Sequence, residues 1–276
     1  MLRPSCSVSS DQRGFTLAEL LVTMAVVGLI MAAVLSVQMS GATISQTSSN
    51  KAEAQQAARA AMMMEEDLRA SGYGYPPPLS QITPPAGPNT TAAIITAASP
   101  TAITFMADVA NASATLTAFV NAGATTLTVN AASKIVAGDT IYLINVTQAA
   151  SLIVKTVAGN NITTFSGVIC PGVPNPCYPA GAMVGRARTI AYNWDGVTLT
   201  LTKDFGDGAG PQPLATGVQA FQLRYFDASD AEIPPANLAA NLQNIRRVRI
   251  DLTAQSEMAQ NRGTFSVISS VRPRNL

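Results

Sequence analysis

Histidine is absent from this 276-residue chain, and that absence excludes a good deal. Without it there is no Ser-His or Cys-His nucleophile pair, no imidazole acid/base catalyst and none of the commonest metal ligand. Charge is also scarce, at 12% of residues, and aromatics make up only 5%, with a single tryptophan. Seventeen basic side chains face sixteen acidic ones, so no strong field draws the chain to nucleic acid. The apolar content of 47% therefore comes from Ala, Val, Ile and Leu. Cysteine is limited to three residues, Cys6, Cys170 and Cys177. The last two bracket a Pro-rich octapeptide, CPGVPNPC, too poor in other ligands for a metal site and too widely spaced for a Cys-x-x-Cys redox pair. They are read as a structural disulfide of an exported domain, contributing about 2.5 kcal/mol for so short a loop.

What the sequence does have is one long apolar run, Phe15 to Val37, FTLAELLVTMAVVGLIMAAVLSV, close to the length that spans a bilayer as a helix. A single acid, Glu19, lies inside it, and there is no Lys or Arg between Arg13 and Lys51. An unpaired carboxylate in hydrocarbon costs at least about 2.5 kcal/mol, so Glu19 requires a partner. A secretory signal is cut after its apolar region, at small residues. Here the small residue, Gly14, comes before that region, so a cut after it would keep the apolar run and create a new amino terminus as the missing cation. A plain signal anchor with an incidental glutamate is the simpler alternative.

Residues Gly14 to Leu20, Gly-Phe-Thr-Leu-Ala-Glu-Leu, resemble the cleavage and methylation site of type IV prepilins and type II secretion pseudopilins. The resemblance implies cleavage between Gly14 and Phe15 by a prepilin peptidase on the cytoplasmic side and N-methylation of Phe15. It also implies a Glu19 that pairs with the amino terminus of a neighbouring subunit. Loss of residues 1–14 removes Arg3, Arg13, Asp11 and Cys6 and leaves a neutral chain of 15 basic and 15 acidic side chains.

Beyond the run, residues 38–50 are polar and small, with weak helix propensity. Lys51 to Ala70 is strongly helical in composition, with Ala54, Ala57, Ala58, Ala61, Met64 and Leu68 on one stripe. Gly72 and Pro76-Pro77-Pro78 end it. A helix over 15–71 would measure about 85 Å. Met62, Met63 and Met64 point three ways and read as packing rather than metal ligation. Leu68-Arg69-Ala70-Ser71-Gly72-Tyr73 is similar to the close of this helix in PilW-type minor pilins and J-type pseudopilins.

From residue 73 onward the period is that of strands. Stretches at 93–96, 101–107, 125–130, 140–146, 152–157 and 161–165 are separated by Gly-bearing turns. A β-rich insertion over about residues 108–185 is expected. The C-terminal third supplies the main sheet: 188–194 and 197–203 around a two-residue Asp195-Gly196 hairpin, then 217–227, 246–255 and 264–271. The inward set on 217–227 is Val218, Ala220 or Phe221, Leu223 and Tyr225. Gly217 to Tyr225, Val248 to Leu252 and the ending Val271-Arg-Pro-Arg-Asn-Leu276 are similar to strands and tail of PilW-type proteins. Asp204 and Asp207 read as a polar loop rather than a Ca²⁺ site, because the order of an EF-hand is missing. Arg246, Arg247 and Arg249 read as an exposed strand face without stackable aromatics, so binding of nucleic acid is not expected. Asp227, Asp230 and Glu232 read as a solvated loop.

The expected fold is thus α+β. A leader (1–14) is followed by a transmembrane helix (15–37), an amphipathic continuation (38–72) and an antiparallel β-sheet head (73–276) carrying the insertion. With no histidine and no nucleophile constellation, no enzyme is expected, and no cofactor. The resemblance implies a minor pilin of type IV pilus assembly, held in the inner membrane with its head in the periplasm and then placed in a pilus at the cell surface. Its partners would be the prepilin peptidase, other minor and major pilins and the inner-membrane assembly platform. A J-type pseudopilin of type II secretion and a membrane-anchored periplasmic binding protein are the alternatives.

Overall fold

The computed structural model describes residues 16–75, 94–145, 149–170, 177–255 and 264–273. The chain divides into two compact units, split between Ser49 and Asn50.

The first unit is helical. The helix α1, Leu17–Arg69, is continuous in its backbone through residues 38–50, where single-residue propensities left helix in doubt. Helix propagation adds a hydrogen bond for each residue fixed, so a poor stretch between two strong ones is carried along. Every side chain from Thr16 to Gln38 is exposed. Leu17–Gln38 is long and apolar enough to cross a membrane.

The second unit holds the remainder of α1 and fifteen strands. Its first sheet contains β1 (Ile95–Ala98), β2 (Ala102–Ala107), β9 (Arg188–Asp195), β10 (Thr200–Asp204) and β11 (Gln212–Ala215), in the order β1-β2-β9-β10-β11. A second sheet is built from β12 (Val218–Phe226), β13 (Glu232–Ile233), β14 (Arg247–Gln255) and β15 (Thr264–Val271), in the order β13-β12-β14-β15. All pairings are antiparallel. One core joins both sheets to the helix: Ala57, Ala60, Met64 and Leu68 pack with Phe105, Tyr192, Leu223, Ile250 and Leu252. The spacing of three and four along α1 places these four residues on one face. Tyr225 ties the sheets together, its hydroxyl donating to the Ser99 carbonyl at 2.8 Å, while Trp194 Nε1 donates to the Val218 carbonyl at 2.9 Å.

Between β2 and β9 the chain makes a third sheet from β3 (Ala114–Thr115), β4 (Thr126–Thr128), β5 (Thr140–Ile144), β6 (Ala149–Ala158), β7 (Asn161–Thr164) and β8 (Met183–Gly185). Its order is β3-β8-β5-β6-β7-β4, and it has its own core, including Leu127, Ile141, Leu143, Val154, Ile162, Tyr178 and Val184. The segments entering and leaving this region, at residues 108–113 and 185–186, close on Gly74 just beyond the end of the helix. A Cβ on Gly185 would stand 2.1 Å from the Gly74 carbonyl oxygen, and Gly74 itself holds φ +76°. Only glycine fits at either position.

One expectation is corrected and one open choice is settled. Asp195-Gly196 does not make a two-residue hairpin: Asp195 pairs with Thr200, leaving a four-residue loop in which Leu199, not Gly196, has positive φ. Asp195 drives this outcome, since its carboxylate accepts from the Val197 N–H and the Thr198 hydroxyl, both at 2.8 Å, and winds the chain beyond the tight turn. On β12 the ambiguous choice between Ala220 and Phe221 is settled by a register shift between Val218 and Ala220. This bulge leaves Ala220 exposed and brings Phe221, Leu223 and Tyr225 into the core.

Candidate assembly site

Thr16 opens α1. Its carbonyl accepts the first helical bond from the Leu20 N–H at 3.2 Å, so Thr16 occupies the N-cap and Glu19 the third helical position. The Thr16 N–H and hydroxyl donate to the Glu19 carboxylate at 3.0 and 3.1 Å, and the Glu19 N–H donates back to the Thr16 hydroxyl at 3.3 Å. This reciprocal pair is a capping box, and it holds the acid at the positive end of the helix dipole. The signal for it, Thr-x-x-Glu, is present in the sequence at the head of the apolar run. Gly14 and Phe15, the expected cleavage and methylation residues, lie outside the described residues.

Beyond the cap the helix offers no further charge until Lys51. Between Leu17 and Gln38 its hydroxyls are satisfied internally: Thr23 donates to the Glu19 and Leu20 carbonyls, and Ser36 to that of Ala33. Such back-bonding removes polar demand from the surface that lipid or another helix would meet. Leu17, Met24, Leu29 and Val37 are each more than two-thirds exposed, so these residues find no burial within the chain.

The other singled-out residues fall as follows. Cys170 and Cys177 form a disulfide with Cα atoms 5.8 Å apart, and Cys177 is buried in the core of the third sheet. Asp204 and Asp207 each accept from a backbone N–H two residues on, at 2.8 and 3.0 Å, which makes them turn formers. Among the described residues no group of three or more acidic or cysteine side chains converges as a metal site. Met64 is fully buried, whereas Met62 and Met63 are exposed.

The arginine face differs from expectation. Arg247 lies 3.6 Å over the Phe226 ring and pairs with Asp230 at 2.9 Å, and Arg272 joins the same carboxylate at 2.8 Å. Arg249 pairs with Asp251, Arg224 with Glu232, and Arg246 donates to the Gln243 and Ile245 carbonyls. An aromatic is therefore beneath Arg247, and each of these cations is already engaged: Arg247 and Arg272 by Asp230 of the loop before β13, Arg249 by Asp251 of its own strand, Arg224 by Glu232 of β13, and Arg246 by backbone carbonyls. The hydrogen bond from Arg247 and the charge of Arg272 hold the Asp230 carboxyl below its usual range, as Arg224 does for Glu232.

Two buried charge clusters gave no sequence signal, because their members come from distant segments. Asp67 on α1 meets Lys203 of β10 at 2.5 Å, with Lys203 only 4% and Asp67 9% exposed at the side chain, and Tyr192 donates its hydroxyl to the same oxygen. Burial, and then the charge of Asp67, pushes the Tyr192 hydroxyl far above its usual range. Asp139 draws Arg186 and Arg188, both at 2.8 Å, from the strand leaving the third sheet. The Arg186 Nε lies close to the carboxylate without its N–H being aimed at it, so the contact acts through charge rather than through a formed hydrogen bond.

The profile of the prokaryotic N-terminal methylation motif matches residues 9–35, which contain the Thr16–Glu19 cap and most of the apolar run. The chain thus joins that N-terminal motif to an apolar helix and an antiparallel β-sheet head of the α+β class. Among solved structures it is similar to a type IV-like pilin from Thermus thermophilus, at 12% identity and a TM-score of 0.22, over 52% of this chain and 87% of that one. No curated protein sequence matches the chain.

Proposed function

We propose that this chain is a non-enzymatic minor pilin of the PilW type, a membrane-held subunit that helps to prime and build a type IV pilus. The observation that carries the reading is the N-terminal methylation motif over residues 9–35, together with the helical segment Leu17–Gln38, whose side chains are all exposed and whose only charge is Glu19. In this account a prepilin peptidase cuts between Gly14 and Phe15, and Phe15 is N-methylated. The new ammonium then belongs to the residue before Thr16, whose own N–H donates to the Glu19 carboxylate. During assembly Glu19 exchanges its bonds to Thr16 for the Phe15 ammonium of a neighbouring subunit, while Leu17–Gln38 exchanges lipid for other helices. The inner membrane holds the chain beforehand, with the head in the periplasm; other pilins and the assembly platform are its partners. A mature length of 262 residues is large for a subunit repeated thousands of times, which favours a minor role near the tip.

The test is Glu19→Ala in the host cell. Normal membrane insertion with at least about a tenfold loss from sheared filaments is expected, a loss that corresponds to about 1.4 kcal/mol. Undiminished incorporation and function would instead favour an anchored binding protein.

A further inference from the structure

Sheet edges are where soluble β proteins protect themselves, and among the described residues five of the six sheet edges are protected. β3 and β13 are two residues long, and β4 is three. β1 has four residues and a register shift; β11 has four, a register shift and Pro213. These are the standard devices against edge pairing. β15 has none of them. It runs eight residues, Thr-Phe-Ser-Val-Ile-Ser-Ser-Val, without proline or charge, and keeps an unbroken register against β14 from Val248↔Val271 to Gln255↔Thr264. Among the described residues, no backbone group outside β14 hydrogen-bonds to it.

Alternation identifies what the free edge presents. The Gln255 N–H donates to Gly217 on the β12 side, so the even-numbered residues Val248 to Ala254 direct their backbone groups to β15. Their partners Val271, Ser269, Val267 and Phe265 answer them. The N–H and C=O groups of Ser266, Ile268 and Ser270 are left facing outward. Two side chains on this strand are apolar and accessible, Ile268 at 66% and Phe265 at 38% exposure, beside uncharged serines.

We infer that the β15 edge is a docking site for an extended strand from the head of a different pilin-like subunit, joined through the backbone of Ser266, Ile268 and Ser270. A row of backbone donors and acceptors without charge recognises another strand, and the occupant's side chains should be uncharged opposite Ile268. A second copy of this chain fits poorly. Antiparallel self-pairing needs a two-fold axis normal to the sheet, which would reverse the α1 residues packed on that sheet, whereas copies held in one membrane need theirs to run the same way. Parallel self-pairing would set one copy's core face against the other's solvent face. This inference rests on the filament reading, since that supplies the neighbouring head.

The test uses the full chain in its host. With p-benzoylphenylalanine at position 268, ultraviolet light is expected to give an adduct with another subunit bearing a prepilin-type N terminus, and peptide mass spectrometry should place the link in a strand of that subunit's head. No adduct, a link within the chain or an adduct of two copies of this chain overturns the inference. Ile268→Lys should lower recovery in sheared filaments about tenfold, while Ile153→Lys, at a 51% exposed isoleucine on β6, should not. If Ile268→Lys assembles normally and Glu19→Ala does not, the edge inference falls and the pilin reading stands. If both assemble normally, both fall.

Discussion

The two halves of α1 are one helix in backbone and opposites in surface. Along Leu17–Gln38 no side chain is buried, whereas from Ala57 to Leu68 each turn places an alanine, methionine or leucine in the head core. The first half satisfies its own polar groups with the Thr16–Glu19 cap and hydroxyl back-bonds. The second reaches outward with a charge, through Asp67 to Lys203 and Tyr192. The difference teaches where each half finds its stability: the second within the chain, the first from lipid or from other helices.

The sharpest way to break this comparison is Asp67→Ala. It leaves the Lys203 ammonium buried without its acid, and the head should lose about 3–5 kcal/mol in denaturant unfolding. A loss below about 1 kcal/mol would mean that the pair does not anchor the helix. Next, Met64→Ala should cost the head about 2–5 kcal/mol, because the side chain is fully buried, while Leu29→Ala in the exposed half should leave head unfolding within about 0.5 kcal/mol of the parent. Equal effects would erase the distinction. Thr16→Ala should weaken the helix start by about 1 kcal/mol, seen as faster amide exchange over residues 17–21 in micelles, with no change in head melting.

The smallest effect concerns acid. Asp230 and Glu232 are held below their ordinary range in the folded head by arginines. Their contribution is therefore present above about pH 4, the unfolded range for carboxyls, and is lost as pH falls through the depressed folded values. Head stability should decline below about pH 4 and the decline should be shallower in Arg247→Gln. In alkali, burial raises the Tyr142 and Tyr178 hydroxyls to about 12, so head stability that is present below about pH 10 should be lost as pH rises through 12.

Much of the fold was legible because it is written in local periods. Val248, Ile250 and Leu252 alternate, and β14 buries all three; Ala57, Met64 and Leu68 recur at helical spacing and enter the core. The expected strands at 140–146 and 161–165 correspond to β5 and β7, within two residues at their ends. The four-residue loop after Asp195 was not legible, because a side-chain cap competed with the turn preference of Asp-Gly. Nor were the Asp67–Lys203–Tyr192 and Asp139–Arg186 clusters, whose members meet only once the sheets are assembled. At the N terminus the acid was conspicuous, while its partner Thr16 was hidden among apolar neighbours.

The most direct measurement is the first residue and mass of the chain purified from membranes. The account predicts a start at N-methylated Phe15, with the apolar helix and Glu19 retained. A chain that begins at Met1, or downstream of Val37, would contradict it.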